Sequence, residues 1–220
     1  MEKKEISAPF IGIGRHRLAT DGKGVTTLAA FHNCSLRCKF CINFRCLDPD
    51  MVWRHITPSE LLDELLIDNL YFLATGGGVT FGGGEPLLRS EFIEEFCRIK
   101  PAEWKINVET SLNVDRKHLE RVLPLVDEYI IDIKDTNPAI YKEYTRRDNK
   151  QMLDNLKWLL EHDGMAEKIL VRLPHIPEHN TQEDVDRSRA LLEKMGIKHF
   201  DEFDYLVDYE DEEEDEANGD

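Results

Sequence analysis

The chain alternates strand-like and helix-like segments almost from end to end, and this alternation limits its fold more than any other feature. Short apolar runs rich in β-branched residues stand at Val25–Phe31, Val79–Phe81, Trp104–Val108, Glu128–Ile133, Lys168–Leu173 and His199–Leu206. The intervening segments have helical spacing. Thr57-Pro58-Ser59-Glu60 forms a capping box with proline at the first helical position, and Leu61, Leu62, Leu65, Leu66, Leu70 and Leu73 continue it. A further helix opens at Ser90, with Phe92, Ile93, Phe96 and Cys97 on one face. Arg116–Leu125 supplies another, Ala139–His162 one or two more, and Thr181 caps a last helix that Gly196 ends. Only the opening, with Ile11-Gly12-Ile13-Gly14 and Asp21-Gly22-Lys23-Gly24, reads as irregular.

Strict alternation implies a parallel sheet with right-handed crossovers. Six strand–helix steps, the sixth without a clear helix, fit within the 220 residues. A closed eight-unit barrel usually needs about 250 residues. The expected fold is therefore α/β, a partial (βα)6 TIM-like barrel, with an open doubly wound sheet as the competitor. Residues 1–206 form one domain on this reading. Residues 207–220 hold nine acids and no Lys or Arg, the composition of a disordered acidic tail.

That tail dominates the charge. The net charge is −16, but residues 1–206 carry only −7 of it. A nucleic-acid backbone reader needs a basic patch, so nucleic acid and anionic membrane surfaces are disfavoured as partners. No apolar run approaches the roughly 20 residues of a membrane span, and no signal peptide is apparent at the start. Three of the five cysteines crowd into Cys34 to Cys41, a poor disulfide framework and a better metal site. The expected setting is reducing and cytoplasmic.

The spacing Cys34-x3-Cys38-x2-Cys41, just after the first strand segment, puts three soft thiolates on one short loop. Iron–sulfur or zinc ligation suits such a set. A structural zinc site wants four ligands, which His32 or His55 could complete here. Three cysteines on a four-iron cluster leave one iron open to a small molecule, so an odd set of three points to chemistry at that iron. Buried thiols that happen to lie close together are the bland alternative.

A second signal follows in Gly76-Gly77-Gly78-Val79-Thr80-Phe81-Gly82-Gly83-Gly84-Glu85-Pro86-Leu87-Leu88. Glycines ending a strand open the backbone to close approach by a ligand, and Glu85 adds an acceptor for a cationic amine. The run is neither a phosphate loop nor a dinucleotide fingerprint.

Together the two motifs resemble the radical S-adenosylmethionine (radical SAM) superfamily. The string Gly78–Leu88, the lead-in Asp21-Gly22-Lys23-Gly24-Val25, Asp132-Ile133-Lys134, and Arg172 with Ile176-Pro177-Glu178-His179-Asn180 look like the activases of glycyl radical enzymes, of the pyruvate formate-lyase activating type. The resemblance implies that Cys34, Cys38 and Cys41 hold a [4Fe–4S] cluster whose fourth iron is chelated by the amine and carboxylate of SAM. It places Gly83, Gly84 and Glu85 on the amine side and Phe40 near the adenine. Asp132 and Lys134 would reach the ribose or carboxylate, Thr110 and Ser111 the same wall, and Arg172 with Ile176-Pro177 the far side. No protein acid–base pair is implied. The implied reaction is reductive cleavage of SAM to a 5′-deoxyadenosyl radical that takes hydrogen from a glycine of a partner glycyl radical enzyme. A one-electron donor such as flavodoxin or ferredoxin is implied with it.

Several positions depart from the activase pattern. Cys41-Ile42-Asn43-Phe44 stands for Cys-His-Asn-Pro, Gly82 for serine, and Glu109-Thr110-Ser111-Leu112 for Asp-Thr-Asn-Gly. Phe203-Asp204-Tyr205-Leu206 stands where a histidine is usual. These departures motivate a second reading, radical SAM modification of a ribosomal peptide or a small molecule. A third is a non-catalytic iron–sulfur electron carrier. Cys97 is expected in the core, and Cys46 as packing or an extra thiol.

Overall fold

The computed structural model describes residues 6–18 and 20–205. The expected disorder of residues 207–220, and Leu206 of the last strand segment, lie outside the described residues. One eight-stranded sheet runs in the order β3-β1-β2-β4-β5-β6-β7-β8. Its parallel part comprises β2 (Thr26–Phe31), β4 (Gly78–Gly83), β5 (Lys105–Thr110), β6 (Glu128–Asp132), β7 (Ile169–His175) and β8 (His199–Asp204). These are the six strand segments of the sequence.

Their spatial order equals their chain order. A doubly wound sheet needs a reversal of direction at a switch point, and none occurs here. Right-handed crossovers that all advance one way place their helices on one face and leave the other to curl inward. The result is the partial (βα)6 barrel, open between its first and last strands.

The opening segment departs from expectation. Ala8–Arg17 is a ten-residue strand, β1, antiparallel to both β2 and the short β3 (Arg54–Ile56). Its ladder with β2 slips between Phe10 and Gly12 and again between Gly14 and Arg17. Such bulges break the period-2 pattern that would have marked it as a strand.

The helices follow their caps. Thr57 and Glu60 close a reciprocal capping box on α1 (Pro58–Leu65), and Thr181 and Asp184 do the same for α7 (Gln182–Met195), which ends at left-handed Gly196. The leucine-rich helix is interrupted by a 3₁₀ turn at Leu66–Asp68 before α2 (Asn69–Thr75). Ser90–Ile99 forms α3 and Arg116–Val122 forms α4. Ala139–His162 resolves into α5 (Pro138–Thr145) and α6 (Lys150–Leu160).

Phe31, Phe81, Phe92, Phe96, Trp104, Ile106, Val108 and Ile131 lie in the core between sheet and helices. Cys97 packs against this core from a half-buried position, and Cys46 is fully buried. Among the described residues, no helix is long and apolar enough to cross a membrane.

Candidate active site

A cavity of about 600 Å³ opens at the carboxyl ends of the parallel strands and runs into the barrel. The cysteine loop leaves β2 and crosses that end. Its backbone is tied to the end of α5: the Arg37 N–H donates to the Thr145 carbonyl at 2.9 Å and the Lys39 N–H to Tyr144 at 3.0 Å. Arg147 Nε adds a bond to the Ser35 carbonyl at 3.1 Å. Thus held, Cys34, Cys38 and Cys41 all line the cavity. Burial, the largest cause, pushes the Cys34 and Cys38 thiols up to about 12. Cys41 is lowered to about 6, chiefly by a hydrogen bond with the Cys46 thiol. Among the described residues, no group of three His, Cys, Asp or Glu side chains surrounds a single metal-ion position.

The glycine turn has a steric explanation beyond ligand access. Gly83 sits at φ +86°, and a Cβ on Gly84 would lie 2.1 Å from the Asn33 carbonyl oxygen. The Gly84 N–H is used by the Phe31 carbonyl at 2.9 Å and the Glu85 N–H by Asn33 at 2.8 Å. Glycine here lets the end of β4 lie flush against the end of β2. That close approach carries Glu85 to the cysteine loop.

Glu85 is buried, and its carboxylate accepts four hydrogen bonds. One carboxylate oxygen accepts from Thr110 Oγ1 at 2.6 Å and the Leu87 N–H at 3.2 Å. The other accepts from Ser111 Oγ at 2.7 Å and the Ser111 N–H at 3.0 Å. Burial pushes its carboxyl up, and these four donors act against that rise. Thr110 and Ser111 line the cavity and also orient Glu85.

Deeper in, charges alternate across the strands. Register sets Asp132 beside Arg172 and Arg172 beside Asp201. Arg172 pairs with Glu109, lies 3.4 Å from Asp201, and donates to the Thr20 carbonyl. Lys134 Nζ meets Asp132 Oδ2 at 2.7 Å and stands 5.5 Å from the Tyr205 ring centroid. Burial opposes the Lys134 ammonium most strongly, yet Asp132, Cys38, Tyr144 and Tyr205 together outweigh it and raise its pKa.

Of the sequence-derived candidates, Gly83, Gly84, Glu85, Thr110, Ser111, Asp132, Lys134 and Arg172 line this cavity with the three cysteines. Phe40 does not. Its ring centroid lies 5.6 Å from that of His179 and 6.4 Å from that of Tyr144, while its carbonyl accepts from Tyr144 and Tyr205. Arg17, Glu109, Asp201, Phe203 and Tyr205 line the cavity without having been assigned a role. The i, i+2, i+4 spacing of residues 201, 203 and 205 was a signal for the last three.

The donor set fits a thiolate-held cluster with a zwitterionic ligand. Three cluster-type thiols and a buried acceptor for an ammonium share one wall. Asp132 Oδ1 is buried there with no hydrogen-bond partner.

A partial (βα)6 barrel with three loop cysteines at its carboxyl-end cavity defines a class of cofactor-dependent α/β enzymes. The chain belongs to the radical SAM superfamily, whose family model matches residues 29–191. It is 37% identical over 180 residues to the (2S)-3-sulfopropanediol dehydratase activating enzyme of Klebsiella oxytoca, covering 80% of this chain and 56% of that one. It is 32% identical over 162 residues to the pyruvate formate-lyase-activating enzyme of Clostridium pasteurianum, covering 71% and 64%. The indoleacetate decarboxylase activating enzyme of Tractidigestivibacter scatoligenes is 29% identical, with 76% and 55% covered. The chain thus spans a little over half the length of the first and third of these. Among solved structures, Streptococcus suis SuiB shares the fold at TM-score 0.61 and 15% identity, over 81% of this chain and 39% of that one.

Proposed function

We propose that the chain cleaves SAM reductively at a [4Fe–4S] cluster and abstracts hydrogen from a glycine of a partner glycyl radical enzyme. The observation that carries the reading is the convergence of Cys34, Cys38, Cys41 and Glu85 on one cavity. The activating-enzyme names of the relatives support the choice of substrate. When bound, the reduced cluster supplies the electron for SAM cleavage and so the 5′-deoxyadenosyl radical.

The chain's own residues do the rest. Cys34, Cys38 and Cys41 hold the cluster as thiolates, releasing the protons that burial now retains on Cys34 and Cys38. Glu85, oriented by Thr110 and Ser111, accepts from the methionyl ammonium. Asp132 Oδ1 and the Lys134 ammonium stand ready for the ribose and carboxylate. The Arg172–Glu109 pair closes the inner wall. The enclosing barrel excludes water from the reacting hydrogen. A flavodoxin or ferredoxin is the proposed one-electron donor.

Anaerobically reconstituted protein, given dithionite and SAM, should form 5′-deoxyadenosine above a Cys38→Ala control. With a glycyl radical enzyme encoded beside it, a glycine-centred EPR doublet should then appear on the partner. SAM cleavage without that doublet on any such partner would remove the activase assignment and favour a peptide or small-molecule substrate.

A further inference from the structure

The parallel sheet ends at β8, which pairs with β7 and with no other strand among the described residues. The Tyr205 N–H donates to the His175 carbonyl at 2.8 Å. By strand alternation, Phe203 and Asp201 also turn their backbone groups toward β7. Phe200, Glu202 and Asp204 therefore turn their N–H and C=O groups to the open edge.

This edge is continuous with the active-site cavity, because Asp201 and Phe203 of β8, and Tyr205 directly after it, line that cavity. It is also acidic. The Asp201 and Asp204 side chains are 48% and 84% exposed, Asp201 lying 3.4 Å from Arg172 and Asp204 2.9 Å from His175. An exposed strand edge is a template for backbone pairing with an extended chain.

We propose that β8 docks an extended, lysine- or arginine-flanked segment of a protein substrate as an added strand, delivering its target residue to the cavity. The proposal rests on the reading that the substrate is a polypeptide. Backbone pairing supplies register, and the acidic edge selects basic flanks. A side chain facing inward from the added strand lies beside Phe203 and Tyr205.

Fluorescence anisotropy with the full-length protein tests this. The probe is a labelled peptide with one central glycine flanked by lysines, used without SAM or reductant. Each backbone amide of the peptide is N-methylated in turn. The expected result is saturable binding that weakens about fivefold at every second amide and little at those between, since each methyl deletes one backbone donor. On the protein side, Glu202→Pro removes an outward N–H at an edge position where proline is tolerated, and should weaken binding by a similar factor. Glu202→Ala removes the same carboxylate but keeps that N–H, so Glu202→Pro should bind about fivefold more weakly than Glu202→Ala. No saturable binding, N-methyl effects without alternation, or binding by a natively folded Glu202→Pro no weaker than by Glu202→Ala would overturn the proposal. So would a concentration-dependent dimer that Glu202→Pro dissolves, because a second copy would then occupy the edge. Absence of 5′-deoxyadenosine in the separate cleavage assay bears on the activity and leaves the docking result standing.

Discussion

Glu85 shows how one buried carboxyl can be held in a fixed orientation at a cost in stability. A buried carboxylate surrounded by four donors is aimed by Thr110 and Ser111 but still has a raised pKa because burial dominates. A carboxyl with a raised folded-state pKa contributes stability while protonated, and that contribution is lost as pH rises through the folded value. The Glu85→Gln variant lacks this loss. Its thermal midpoint should depend less on pH than that of the parent, while lying below it, because the amide nitrogen would face the backbone N–H of Leu87 or of Ser111. SAM affinity of the cluster-loaded variant should fall about tenfold or more, since hydrogen bonds to charged groups are worth about 1.5–3 kcal/mol. Equilibrium dialysis and thermal melts measure the two effects separately; unchanged SAM affinity would remove Glu85 from the ammonium site. Residue type and place after a strand made the cysteines and Glu85 visible in the sequence, while Asp132, Lys134 and Arg172 came from the resemblance to the family's motifs. Glu109 and Asp201 were not visible, because they meet Arg172 only in the folded sheet, Asp201 by register on the next strand and Glu109 from two strands away. The ring of Phe40 packs toward Tyr144 and His179 while its backbone stays in the cysteine loop, an orientation that local sequence does not specify.

At the scale of elements, the caps were the most legible features. Thr57, Thr181 and Gly196 end or begin helices where their local chemistry places them. The break at Leu66–Asp68 was hidden by continuing leucine periodicity, and its cause is non-local. Asp68 is drawn inward to Arg15 at 2.6 Å and Thr27 at 2.9 Å, leaving Ile67 and Leu70 exposed. β1 was hidden by its bulges. The end of α5 offers a test of cap chemistry: Arg146 stands there at φ +62°, exposed, with its N–H closing onto the Lys142 carbonyl. A side chain in the left-handed region costs roughly 1–2 kcal/mol, and glycine removes that cost while adding unfolded-state entropy. Arg146→Gly should therefore stabilise the protein by about 1 kcal/mol, raising the midpoint by about 2–4 °C in a domain of this size. A lower midpoint would show that the Arg146 side chain stabilises the fold more than its backbone strains it.

At the scale of the whole molecule, the parallel half-barrel was readable because six strands keep their chain order, so local periodicity and global topology agree. The closure of the structure around its site was not readable, since it depends on the cysteine loop bridging distant parts of the chain. That loop joins β2 to the end of α5 through Arg37, Lys39 and Arg147, and to β4 through the Asn33 carbonyl. Three thiols on the same loop, two of them held protonated by burial, would make cluster loading there a proton-releasing step that cross-links this junction. A group that binds only the folded chain stabilises it by mass action. Anaerobic reconstitution with ferrous iron and sulfide should therefore raise the thermal midpoint by about 5 °C or more. It should also slow amide exchange at residues 33–41 and 144–147 together. Cys38→Ala, with apo circular dichroism matching the parent, should lose both effects and the visible iron–sulfur absorption. Cys97→Ala, altered on a helix packed against the core, should keep all three. Exchange that slows at the cysteine loop while residues 144–147 stay unchanged would show that the cluster is held locally, without tying the end of β2 to the end of α5.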